Sequence, residues 1–134
     1  MQNVKLVVLL GRWDRNLLLP EDTTPAGVLR MLPTGAVGPG ESVRDCAGRI
    51  AKQFGLTIPP EAWVSVPESP VDPKNLVLLV VRAPNDALED QTTLANRKLW
   101  SQAELALCDA WVNPSKFEAA LMSTLERARK ALDD

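Results

Sequence analysis

At 134 residues, 46% hydrophobic and 24% charged, the chain has the size and composition of one globular domain and is too apolar for a disordered segment. A net charge of -2 with no basic cluster gives no drive toward nucleic acid or an anionic membrane surface. The two cysteines, Cys46 and Cys108, lie far apart in a chain without histidine, which excludes histidine general-base chemistry, disfavours zinc and leaves two buried thiols.

Residues 4–10 are a dense β-branched and aliphatic run, and Asp14-Arg15-Asn16 separates them from Leu17-Leu18-Leu19, the pattern of a central β-hairpin. Residues 20–27 contain two prolines and are read as a polar loop, followed by a strand over residues 28–32. Pro33, Gly35, Gly38, Pro39 and Gly40 then form a run of turn residues. A helix follows over residues 42–54, burying Val43, Cys46, Ala47, Ile50 and Phe54 and leaving Arg44, Asp45, Arg49, Lys52 and Gln53 on its polar side. Asp45 and Arg49, four apart, are placed to pair, and Gly55 ends the helix. Gly48 in mid-helix costs about 1 kcal/mol relative to alanine. Either the position is untuned or the helix packs close to a neighbour there, and close packing is the expectation.

Residues 63–66 read as a short alternating strand, residues 67–74 as a proline-rich loop and residues 75–82 (NLVLLVVR) as a fully buried strand paired with the first. An acidic loop over residues 83–93 and a strand over residues 94–100 come next. Ser101-Gln102-Ala103-Glu104 fits a capping box, and Asn113-Pro114 an N-cap with proline at the first helical position. The final helix then carries an apolar stripe of Phe117, Ala120, Leu121, Thr124, Leu125 and Ala128. Apolar runs are strand-sized and the N-terminus lacks a signal-peptide pattern, so a soluble cytoplasmic protein is expected.

The stretch from Leu32 to Leu56, LPTGAVGPGESVRDCAGRIAKQFGL, resembles the box of the Nudix hydrolase family, G-x5-E-x7-R-E-U-x-E-E-x-G-U with U a bulky aliphatic residue. Leu32-Pro33-Thr34-Gly35 stands for the L-P-G-G that precedes the box, Gly35 opens it, Glu41 follows five residues on, and Arg49 follows Glu41 after seven more. The remaining box glutamates fall on Ile50, Gln53 and Phe54 or, counting back from Gly55, on Arg49, Lys52 and Gln53. Neither register supplies a carboxylate. Trp100-Ser101-Gln102-Ala103-Glu104-Leu105 also resembles the W-x-x-x-E-L element that follows the last strand of such domains. The resemblance spans nearly the whole chain and implies one domain over residues 1–134, an α/β/α sandwich around a mixed β-sheet.

In the family the helix glutamates hold divalent cations that assist pyrophosphate cleavage. With the box degenerate, the resemblance implies a protein that is inactive or weak as a hydrolase and binds a nucleotide-like or other phosphate-bearing small molecule, a protein partner or a second copy of itself. No cofactor is expected on that reading. Glu41 is either a structural acid at a helix start or a residual catalytic group and metal ligand, and Asp45 one turn on is its candidate co-ligand. Glu89, beside Asp90 in the acidic loop, lies where some family members place a general base. The alternative is therefore a Mg2+-dependent hydrolase of nucleoside diphosphate derivatives using relocated acids.

For ligand binding, Gly35, Gly38 and Gly40 offer open backbone beside a helix N-terminus. Arg49 and Lys52 add positive charge. Arg49 is the residue that in the family orients the box through a salt bridge. Arg30 stands, with Met31, where family members carry a tryptophan, and is taken as a further ligand contact. Of the four tryptophans, Trp63 and Trp100 are read as core, and Trp13 and Trp111 as exposed surfaces able to stack on a base or a partner.

Overall fold

The computed structural model describes residues 2–10, 16–25, 27–66, 76–83, 100–102, 116–118 and 121–133. In chain order the elements are β1 (Asn3–Leu10), β2 (Asn16–Leu18), β3 (Glu21–Thr24), β4 (Gly27–Arg30), β5 (Thr34–Ala36), α1 (Val43–Lys52), a 3-10 turn (Pro60–Ala62), β6 (Val64–Ser65), β7 (Leu76–Ala83), β8 (Trp100–Gln102) and α2 (Leu121–Asp133). The two most apolar runs of the sequence are the two central strands. β1 pairs with β7 in parallel along its whole length, from Asn3 opposite Leu76 to Leu10 opposite Ala83. On its other edge β1 pairs antiparallel with β5 near its start and with β2 near its end. β6 adds antiparallel to β7 and β8 antiparallel to β2, which makes the sheet mixed.

The period of two along each strand divides the core into two layers. Val4, Leu6, Val8 and Leu10 of β1, Leu18 of β2 and Leu79, Val81 and Ala83 of β7 pack on the α1 side with Cys46, Ala47, Ile50 and Ala51. Val7 and Leu9, Leu17 and Leu19, and Leu78 and Val80 pack on the opposite side with Leu121, Leu125 and Ala128 of α2. The molecule is thus the expected α/β/α sandwich. Trp63 lies fully buried in the α1 layer, and the Trp100 backbone is in β8.

Several local expectations are corrected. The polar loop expected at residues 20–27 contains β3, which forms a separate two-stranded sheet with β4 and places Glu21 opposite Arg30. Threonines at positions 23 and 24 suit a strand, and Gly27 takes a φ of 122°, closed to most side chains, where the chain turns back. The strand expected over residues 28–32 therefore starts at Gly27 and ends at Arg30. Residues 101 and 102 pair with Leu17 and Asn16 as part of β8, so no helix begins at Gln102. Residues 94–99 of the strand expected there lie outside the described residues. So do the expected hairpin turn at residues 14–15, the proline-rich loop, Trp13, Cys108, Trp111 and the Asn113-Pro114 helix start.

The final helix does not run on from residue 113 as expected. Phe117 forms a parallel bridge with Arg30, the Glu118 amide donates to the Arg30 carbonyl at 3.0 Å, and the described helix begins at Leu121. Phe117 is buried as expected but belongs to this short extended segment. The Glu118 side chain explains why the segment is held there: one carboxylate oxygen accepts from the Leu32 amide and the other from Lys5 Nζ, tying the C-terminal part of the chain to β1 and to the entry of β5. No helix among the described residues is long and apolar enough to cross a membrane.

Candidate functional site

Helix α1 is positioned by its ends and its buried face. Ser42 is the N-cap, its hydroxyl accepting from the Asp45 amide at 3.0 Å. At the other end Gly55 takes a φ of 80°, with its amide on the Lys52 carbonyl and the Leu56 amide on the Ala51 carbonyl. Cys46, Ala47, Ile50 and Ala51 are buried, while Val43 and Phe54 pack partly buried against them. The helix is accordingly shorter than residues 42–54, and Ala51 joins its apolar face. Gly48 is not a tight crossing: a Cβ placed there would meet the Ile58 carbonyl oxygen at 3.6 Å, an ordinary contact.

Before the helix, β5 and the loop of residues 37–42 are held against it. Gly35 passes so close to Ile50 that a Cβ would come within 2.8 Å of its Cδ1, which makes glycine the fitting residue at this crossing. The Glu41 amide donates to the Gly38 carbonyl at 3.1 Å across a Pro39-Gly40 turn, and Gly40 takes a φ of 73°, the combination of a type II turn. The turn swings the Glu41 carboxylate back over the loop. Its Oε1 accepts from the Gly38 amide at 3.0 Å and from Arg49 Nη2 at 3.0 Å, and its Oε2 accepts from Arg49 Nε at 3.0 Å. Arg49 Nη2 also donates to the Ala36 carbonyl at 2.8 Å and lies 3.5 Å from Cys46 Sγ, and the Cys46 thiol donates to the same carbonyl at 3.5 Å.

The result is a bidentate guanidinium–carboxylate pair clamping the loop to the helix. It fixes the protonation states. The Arg49 hydrogen bonds, followed by the Gly38 amide, pull the Glu41 carboxyl down to about 2, and the pairing raises Arg49 above its already high value. Burial pushes the Cys46 thiol up, and the neighbouring Glu41 charge adds to the effect. The clamp thus comprises a carboxylate, a guanidinium and a neutral thiol.

The other sequence candidates fall as follows. Arg49 pairs with Glu41 and not with Asp45, whose side chain is exposed in the first turn of α1. Lys52 is exposed and donates to Thr57 Oγ1 at 3.3 Å. Arg30 lies in β4, where its guanidinium donates to the Leu19 carbonyl at 3.2 Å and to Glu21 Oε1 at 2.9 Å, bracing the β3–β4 hairpin. Glu89 and Asp90 lie outside the described residues. The structure therefore brings together Gly38, Glu41 and Arg49 with Ala36 and Cys46, and leaves Arg30 occupied in the β3–β4 hairpin. The Ala36 carbonyl carries no sequence signal.

Mg2+ takes oxygen ligands in octahedral array, commonly one or two carboxylates with phosphates and water. Both Glu41 oxygens already accept from Arg49, and Ile50, next after the arginine, is buried in the core. Among the described residues no three His, Cys, Asp or Glu side chains come together. The described residues do not fit a divalent metal centre.

No protein-family model and no curated protein sequence matches the chain. Solved structures do. An ADP compounds hydrolase is similar over 99% of this chain and 74% of its own, at 18% identity and a TM-score of 0.58. A Nudix hydrolase from Nitrosomonas europaea is similar over 97% of this chain and 90% of its own, at 14% identity and a TM-score of 0.59. The Ap4A hydrolase of C. elegans is similar over 98% of this chain and 97% of its own, at 20% identity and a TM-score of 0.59. The chain has the fold of the Nudix hydrolases. That likeness is one of fold, and the chemistry is read from the clamp itself.

Proposed function

We propose that this chain is a Nudix-fold binding protein, inactive or weak as a hydrolase, whose ligand is a nucleotide-like molecule carrying phosphates. The observation that carries the reading is the commitment of Glu41: the one box acid is consumed by Arg49 and Gly38, and the helix positions that would complete a metal site hold Ile50, Lys52 and Gln53. The ligand class is supported by the similar folds, whose names refer to ADP compounds and to Ap4A. Arg44, Arg49 and Lys52 against the single acid Asp45 give the exposed side of α1 a positive balance suited to phosphate.

Calorimetry with ADP, ATP and a dinucleoside tetraphosphate, in EDTA and then in Mg2+, tests the proposal. Binding is expected in EDTA, weakening with added salt because exposed charges are screened beyond about 8 Å at physiological ionic strength. No binding in either buffer would replace the nucleotide with a protein partner. Binding that requires Mg2+ would favour a metal-dependent hydrolase drawing on Glu41, Asp45, Glu89 and Asp90.

A further inference from the structure

Four acceptors converge on the Arg49 guanidinium: the Ala36 carbonyl at 2.8 Å, Glu41 Oε1 and Oε2 at 3.0 Å each, and Cys46 Sγ at 3.5 Å. A carboxylate and a backbone carbonyl are oxygen ligands of the kind that hard cations take. Here they surround the cationic end of a side chain. We propose that Arg49 is the built-in cation of this cage, holding the loop of residues 36–41 on α1 so that the loop is ordered without a metal ion. A divalent ion and the guanidinium exclude one another, because both require Glu41 Oε1 and the Ala36 carbonyl. The inference deepens the proposed metal-free reading by naming the group that stands in for the metal, and it concerns the protein before any ligand arrives.

Cys46 provides the readout. It is fully buried, and its thiol touches both the Ala36 carbonyl and Arg49, so opening the loop uncovers it. The full chain is treated with a thiol-alkylating reagent in EDTA and in millimolar Mn2+, and modification of the Cys46 peptide is followed by mass spectrometry, which separates it from Cys108. In the wild type, Cys46 is expected to react slowly and at the same rate in both buffers. Arg49→Ala is expected to react roughly tenfold faster in EDTA, the scale of losing charge-assisted hydrogen bonds from a local opening equilibrium. Mn2+ should slow this variant again, and should have no effect when Glu41→Gln is added.

If Arg49→Ala fails to fold by circular dichroism, Arg49→Met, which keeps the aliphatic stem, takes its place. Protection of Cys46 in the folded variant equal to that in the wild type would overturn the proposal, as would a variant that Mn2+ leaves unprotected or a wild-type rate that Mn2+ changes. No nucleotide enters this test. Its failure leaves the proposed ligand binding standing, and failure of the calorimetry leaves the cage standing.

Discussion

Glu41 is held by hydrogen bonds more than by burial, and this determines how it responds to acid. Its carboxyl, ordinarily at 4.5, is drawn down to about 2 by Arg49 first and the Gly38 amide second. An unfolded chain takes up the proton near the ordinary value while the folded chain resists it. The stabilisation is therefore complete above about pH 4.5 and is lost as the pH falls toward 2. Between those limits the wild-type Tm should fall more steeply than that of Glu41→Gln, which has no proton to gain at this position. Added salt should narrow the difference, because the Arg49 side chain is 47% exposed and the pair is screened. Parallel Tm curves for the two proteins would show that the clamp contributes nothing to stability.

Glu41 and Arg49 were legible in the sequence through their spacing, but their pairing was not. A reading based on helical period joins Arg49 to Asp45 one turn away, whereas the Gly38-Pro39-Gly40 turn brings Glu41 back from outside the helix to take both guanidinium donors. Glu118 was invisible for a related reason. Its partners Lys5 and Leu32 are 113 and 86 residues away, and no local pattern marks an acid that closes so long a loop.

At the scale of the element, the two glycines of the α1 region have opposite costs. Gly48 lies inside the helix with room for a methyl group at an ordinary 3.6 Å contact, and Gly55 sits at a φ of 80°, where a side chain is strained. Gly48→Ala should stabilise the protein by about 0.5–1 kcal/mol through helix propensity and a restricted unfolded chain. Gly55→Ala should destabilise it by about 1 kcal/mol. Denaturant unfolding would place their midpoints on opposite sides of the wild type. A loss of stability in Gly48→Ala would mean that α1 and the Ile58 backbone cannot accommodate even a methyl group.

The strand runs and the apolar stripe of α1 were readable because burial imposes their periods. Segments stabilised by partners elsewhere in the chain were not. β3 pairs with β4 despite a polar sequence, and Phe117-Glu118 is drawn into an extended segment by Arg30, Lys5 and Leu32 where its spacing suggested a helix.

Over the whole molecule, alternating residues of β1 and β7 divide the core between α1 and α2, so the architecture follows from strand periodicity and needs no functional residue. This is how a Nudix fold can persist while its box changes. The fold requires Gly35 for the close approach to Ile50, Gly55 for the helix end and apolar residues at the buried positions of α1, all of which are present. Metal chemistry would require carboxylates on the exposed face, where this chain carries Arg49, Lys52 and Gln53.

The most direct measurement is hydrolysis of Ap4A and of ADP-containing diphosphates by the full chain, with Mg2+, Mn2+ or EDTA, alongside Glu41→Gln and Glu89→Gln. The clamped site predicts product formation at background in all three buffers and no difference among the three proteins. A wild-type rate that rises with Mg2+ or Mn2+ and collapses in either variant would contradict it, and would show a carboxylate at work that the Arg49 clamp is here held to exclude.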